Sequence, residues 1–109
     1  MKITNVECLI IDKSFPYVLI ETDEGISGIG ECFRRAPLIT KATIDYLYKD
    51  ILIGLNPEEI SYIWNILFNA SSVTGPYGSL LTALSGIDTA LWDIKLKKDN
   101  LSLSEAFGG

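Results

Sequence analysis

The chain has 109 residues, of which 48% are hydrophobic, 10% aromatic and 21% charged, an ordinary globular composition at a length that suits one domain. Its net charge of −5 sets the molecular field against polyanions, which bind through clustered Lys and Arg, so nucleic acid is excluded as an expected partner. No apolar run reaches the roughly 20 residues that span a bilayer, and the opening Met1-Lys2-Ile3-Thr4-Asn5-Val6-Glu7 is too polar for a signal peptide, which predicts a cytoplasmic protein without a membrane partner.

The sequence contains no His, so the most convenient acid or base near neutral pH and the commonest metal ligand are both missing. Catalytic triads, His-Asp dyads and His-rich zinc sites are thereby excluded, leaving Asp, Glu, Lys, Cys and Tyr as chemical candidates. Cys8 and Cys32, without a secretory signal, read as reduced and buried thiols.

In chain order, the first third reads as strands. Val6, Cys8 and Ile10 alternate with Glu7, Leu9 and Ile11, and a second run from Tyr17 to Thr22 sets Val18 and Ile20 against Leu19 and Glu21. Asp12 to Pro16 is the expected loop between them. Asp23-Glu24-Gly25 supplies a hairpin turn in which Gly25 takes a positive φ, and Ile26 to Cys32 returns antiparallel. Gly28 and Gly30 alternate along that strand, which invites close approach by another backbone or side chain.

The remainder reads as helices. Pro37 suits a first helical position, and Ile44, Leu47 and Ile51 recur at helical spacing up to Gly54. Asn56-Pro57-Glu58-Glu59 is a start signal for a helix whose apolar face is Ile60, Ile63, Trp64, Leu67 and Phe68, interrupted at Thr74-Gly75-Pro76-Tyr77-Gly78. A last long helix carries Leu80, Leu84, Ile87, Leu91 and Ile94 as one stripe, with Ala83, Gly86 and Ala90 keeping the adjoining surface thin. Lys95, Lys97 and Lys98 sit in its final turns, favourable at the negative end of the dipole. Ser102 to Gly109 reads as a short helix capped by glycine. Strands followed by helices predict an α+β fold, a three-stranded antiparallel meander followed by a three-to-four-helix bundle.

Three blocks carry a resemblance. Tyr17-Val18-Leu19-Ile20-Glu21-Thr22-Asp23-Glu24-Gly25-Ile26-Ser27-Gly28-Ile29-Gly30-Glu31 is similar to a strand, turn and Gly-x-Gly-Glu strand. Gly54-Leu55-Asn56-Pro57 precedes the Trp64 helix, and Ala83-Leu84-Ser85-Gly86-Ile87-Asp88-Thr89-Ala90-Leu91-Trp92-Asp93-Ile94-Lys95 is closed by Ala106-Phe107-Gly108-Gly109. In this order and at these distances they resemble the N-terminal domain of the mandelate racemase and muconate-lactonising family of the enolase superfamily, over essentially the whole chain. Departures are mild: Ile29 stands where the family often has Trp, and Ala106-Phe107 replaces a leucine pair.

The resemblance implies that residues 1–109 form an enolase-like capping domain over the mouth of a TIM-type barrel absent from this chain. It implies an isomerase or lyase chemistry in which barrel carboxylates hold Mg²⁺ and barrel bases remove a proton α to a carboxylate. No catalytic and no metal-binding residue falls in this chain, so it is expected to be inactive alone. The family's two substrate-closing loops map to Lys13, Ser14, Phe15 and Pro16, and to Phe33, Arg34, Arg35 and Ala36. A phenyl ring exposed in each loop would exclude water. Arg34 and Arg35 are either a solvated pair or partners for a small carboxylic acid.

Other conspicuous residues have plainer readings. Asp88 and Asp93 lie about 140° apart on a helix and do not chelate as an i, i+4 pair would, so they, like Glu31, are expected to bond turns. Trp64 and Trp92 read as core or interface anchors. The glycines are no phosphate loop, because neither a helix start nor Lys-Ser/Thr follows them.

Three functional expectations follow. The chain is a piece of a Mg²⁺-dependent racemase, cycloisomerase or acid-sugar dehydratase, whose last-helix stripe is exposed for a barrel partner or self-association. Alternatively it is a stand-alone small-acid binding or oligomerisation module, or it is one half of a split enzyme completed in trans.

Overall fold

The computed structural model describes residues 1–72, 75 and 77–109. The interruption expected at Thr74-Gly75-Pro76-Tyr77-Gly78 therefore lies partly outside the described residues, since Thr74 and Pro76 are not among them. Three strands, β1 (Ile3–Ile11), β2 (Phe15–Thr22) and β3 (Ser27–Glu31), form an antiparallel sheet in the order β1-β2-β3. Helical elements follow: α1 (Pro37–Ala42), a π-helical stretch (Thr43–Tyr48), α2 (Lys49–Leu52), α3 (Ile60–Ala70), α4 (Ser79–Lys98) and α5 (Leu103–Ala106). The expected α+β architecture is the one observed.

Side-chain alternation separates the two faces of the sheet. Val6, Cys8, Val18 and Ile20 point under the helices and are buried, while Leu9, Ile11 and Ile29 point away from them and stay exposed. The stripe on α4 completes this core, because Leu84, Ile87, Leu91 and Ile94 are all buried within the domain. That corrects one expectation: the stripe is not exposed for a barrel, since the domain's own sheet covers it.

The glycines of β3 set how closely α4 approaches. A Cβ at Gly28 would meet the Ala90 carbonyl oxygen, and one at Gly30 would meet the Gly86 carbonyl oxygen, so helix backbone rests directly on strand backbone. Gly86 does the same for its neighbour, because a Cβ there would meet the Cys32 Sγ. Gly25 takes φ +76° in the expected hairpin turn.

Three local expectations need correction. The β1–β2 connection is shorter than Asp12 to Pro16: Asp12 and Lys13 both adopt positive φ, 52° and 66°, and the Ser14 N–H closes the turn on the Ile11 oxygen at 3.2 Å. Phe15 and Pro16 are consequently strand residues. Asn56 does not start its helix directly, because its side-chain oxygen accepts the Glu58 N–H at 3.0 Å in a separate turn and α3 begins only at Ile60. The π-helical stretch widens the turn after α1, so Ile44, Tyr48 and Leu52 are buried and Leu47 faces out.

Both outer edges of the sheet are bonded by side chains in the same way. The β1–β2 register directs the Cys8 backbone away from β2; its N–H donates to Asp45 Oδ1 at 3.0 Å and its oxygen accepts from Lys41 Nζ at 2.7 Å. Lys41 and Asp45 are themselves paired at 2.8 Å, four residues apart. On β3 the Ile29 N–H donates to Asp93 Oδ2 at 3.0 Å and the Ser27 oxygen accepts from Lys97 Nζ at 2.8 Å, with Asp93 and Lys97 paired at 3.1 Å. Each edge thus has two of its outward ladder groups taken by a Lys–Asp pair, which hinders strand addition there. Replacing Asp45 by Ala is expected to cost about 2 kcal/mol, the loss of a charge-assisted bond to a half-buried donor. Urea titration against the exposed control Asp50→Ala checks this, and equal costs would refute the edge role.

Candidate substrate-capping edge

The two segments expected to carry function meet at one end of the sheet. Pro16 can occupy β2 there because only its oxygen is needed: that oxygen accepts the Cys32 N–H at 2.8 Å and ties the start of β2 to the residue after β3. The Arg34 guanidinium then lies over the Phe15 ring, its Cζ 6.0 Å from the ring centroid. Phe33, next to it, is 63% exposed.

Two shallow grooves flank the Phe33 ring. One, of about 380 Å³, is lined by Phe15, Glu31, Cys32, Phe33 and Arg34. The other, of about 400 Å³, runs between Phe33 and the α4 residues Leu81, Thr82 and Ser85. Phe15, Phe33 and Arg34, which the sequence places in two separate segments, therefore meet around the first groove. Arg35, Lys13 and Ser14 are exposed and line neither groove. Pro16 is buried in the strand, and Phe15 is half-buried instead of free in a loop. Glu31 does not bond a turn: its carboxylate accepts from the Tyr17 hydroxyl at 3.4 Å and also walls the first groove. The α4 contribution was missed, although Leu81 and Ser85 are four apart on one helical face, the signal that places them together.

The chemistry of this edge is binding chemistry. Arg34 supplies a permanent cation in a planar fork, suited to a carboxylate, and the phenyl rings supply apolar faces. Cys32 is only 4% exposed, and burial, reinforced by Cys8 and Glu31, pushes its thiol up to about 12, so it is no nucleophile near neutral pH. Cys8 and Cys32 are free thiols, and β2 lies between them, because Cys8 faces Val18 and Val18 faces Gly30. Two strand spacings of about 4.8 Å exceed the reach of a disulfide.

The acidic residues on α4 divide. Asp93 is taken up by the β3 edge, whereas Asp88, raised above the usual carboxylate range by burial, faces a separate groove of about 600 Å³. That groove lies between α4 and the C-terminal segment, where Trp92 and Phe107 touch with ring centroids 5.5 Å apart. Trp64 is not a core residue: it is 36% exposed and stacks on Phe68 at 4.9 Å. Among the described residues, no three Cys, Asp or Glu side chains converge on a point that could hold a metal ion. No helix among them is long and apolar enough to cross a membrane.

Residues 9–108 match the family described as "Mandelate racemase / muconate lactonizing enzyme, N-terminal domain". A D-galactarolactone cycloisomerase from Agrobacterium fabrum is 46% identical over 92 residues, covering 84% of this chain and 24% of its own length. A D-galactonate dehydratase from Pectobacterium atrosepticum is 37% identical over 109 residues, all of this chain and 28% of its own. The crystal structure of an enolase from Pantoea ananatis with bound D-gluconate and Mg is 36% identical with a TM-score of 0.88, over 99% of this chain and 27% of that one. The chain spans about a quarter of the length of the curated relatives it matches.

Proposed function

The chain belongs to the mandelate racemase and muconate lactonizing enzyme family as its N-terminal domain, and from that membership we propose that it caps the active site of an acid-sugar dehydratase, cycloisomerase or racemase. The observation that carries the reading is the junction at one end of the sheet, where Cys32 is bonded to Pro16 and Arg34 lies over Phe15. That junction makes the turn after β1 and the segment after β3 a single rim. Arg34 and the Phe33 ring project from it toward a substrate bound beneath, the cation meeting a carboxylate and the ring excluding water. The Mg²⁺ and the proton-abstracting bases belong to the barrel. The domain's own contribution is orientation and closure.

The test is Arg34→Ala in an enzyme that carries this domain on a barrel, joined or added in trans, with an acid-sugar substrate. KM is expected to rise about tenfold, equivalent to about 1.4 kcal/mol of lost binding, with kcat changed less. Unchanged KM would sink the proposed role. Saturable binding of D-gluconate to the isolated chain by calorimetry, abolished by Arg34→Ala, would instead make it a binding module in its own right.

A further inference from the structure

The cations of this chain are used in two different ways. Lys41, Lys95, Lys97 and Lys98 are each ion-paired, with Asp45, Asp99, Asp93 and Glu58. The two arginines of the sequence, Arg34 and Arg35, stand side by side at the capping edge, across from Lys13 in the β1–β2 turn. Among the described residues none of these three makes an ion pair. The groove of about 380 Å³ beside Phe33 is lined by both Arg34 and Glu31, opposite charges that do not pair with each other. Each is held by an aromatic neighbour instead, Arg34 over the Phe15 ring and Glu31 on the Tyr17 hydroxyl. The groove thus offers a cation and an anionic acceptor between apolar rings. A ligand that satisfies both brings a carboxylate to Arg34 and hydroxyl donors to Glu31, which is the end of a hydroxy acid.

We propose that the substrate selected at this edge is a sugar acid with a carboxylate at each end, an aldarate, and that Arg34 reads the second carboxylate. Family membership leaves this choice open, since a galactonate dehydratase and a galactarolactone cycloisomerase both match. The proposal rests on the capping reading. In enolase-type sites the carboxylate beside the abstracted proton is stabilised by Mg²⁺ as it gains charge, so the carboxylate that meets a cap arginine is a different one. An aldonate has a hydroxymethyl group at that end: it still donates to Glu31 but leaves the Arg34 guanidinium facing a neutral group. A charged group left without its partner in a closed site discriminates more sharply than a missing apolar contact does. Glu31 sets the orientation, because it repels the carboxylate and accepts from the hydroxyl next to it. Arg35 and Lys13 line no part of the groove, yet their field favours a dianion. Cys32, also in the groove wall, is held as a neutral thiol by burial and adds no opposing charge.

The test compares galactarate with galactonate, and glucarate with gluconate, pairs that differ only at that end, in an enzyme carrying this domain on a barrel. The parent kcat/KM is expected to favour each aldarate by about tenfold or more. Arg34→Ala should raise KM for the aldarates about tenfold and for the aldonates less than about threefold, so that most of the preference disappears. Arg34→Lys, which keeps the charge and loses the fork, should restore part of it. Arg35→Ala removes an equal charge outside the groove, and an equal loss there would assign the effect to the field of the whole rim and overturn the role of Arg34. A parent that turns over the aldonates as well as the aldarates, or turns over no aldarate, would overturn the inference. So would an Arg34→Ala loss of the same size for both classes, which would leave Arg34 closing the site without reading a second carboxylate and the capping reading in place. Unchanged KM for all four acids would sink the capping reading along with it.

Discussion

Replacing Gly30 by Ala is expected to cost about 3 kcal/mol or more and to lower the melting temperature by more than about 10 °C. The added methyl would meet the Gly86 carbonyl oxygen and crowd the Ala90 nitrogen at 2.9 Å, both of them helix backbone that cannot rotate aside. Relief requires α4 to lift off β3, and α4 carries Leu84, Ile87, Leu91 and Ile94, much of the core. Gly25→Ala is the contrast: its Cβ would meet nothing within 4 Å, but its φ of +76° penalises any side chain, a conformational cost of about 1 kcal/mol. Thermal and urea unfolding of the two variants separates packing from backbone strain. A Gly30→Ala protein within 1 kcal/mol of the parent would show that the helix has room to shift, and would remove the explanation for the alternating glycines.

Those glycines, the strand alternation and the α4 stripe were legible because each follows a short period, two along a strand or three to four along a helix, that local sequence preserves. The C-terminal helix was legible for a related reason: Ser102 and Glu105 form a capping box that lies wholly within four residues. What escaped was set by contacts distant in sequence. Asp45 looks like any polar residue on a helix until the π-helical stretch brings it to the Cys8 N–H, 37 positions away. Asp93 reaches Ile29 across 64 positions. Asn56 carried a true signal, but a side chain that caps a helix also closes a turn, and only the buried packing of Pro57 and Ile60 decides between them.

The candidate site was half legible. Family resemblance pointed to Phe15, Phe33 and Arg34, and their meeting at one rim depends on the bond from Cys32 to Pro16, which no local pattern announces. Lys13, Ser14 and Pro16 belong to the expected loop from Asp12 to Pro16, and the structure makes that connection shorter. Two consecutive positive-φ residues, Asp12 and Lys13, shortened it. Asp tolerates that conformation better than most residues and Lys does not, so the turn is a tertiary imposition as much as a local choice.

The same packing that buries Cys32 under the rim should make the domain labile to alkali. The thiol ordinarily ionises near 9.0 and is pushed up to about 12 in the folded chain, chiefly by burial, with the Cys8 and Glu31 charges adding and a hydrogen bond from the Gly86 backbone opposing. Between those two values the unfolded chain has released a proton that the folded chain still holds. The stabilising contribution is thus complete below pH 9 and is lost as pH rises toward 12, at about 1.4 kcal/mol per pH unit for this one group. Buried Tyr48, also raised by burial, acts in the same direction, so the parent curve alone does not isolate the thiol. Cys32→Ala does. The variant removes the sulfur that fits against Gly86 and starts less stable at pH 8, but its stability should fall more gently above pH 9, so the two unfolding curves converge. Denaturant titrations at half-unit steps from pH 8 to pH 11 follow the difference directly. Curves that stay parallel through that range would mean the Cys32 thiol ionises alike in both states, and that the core beneath the rim is open to water.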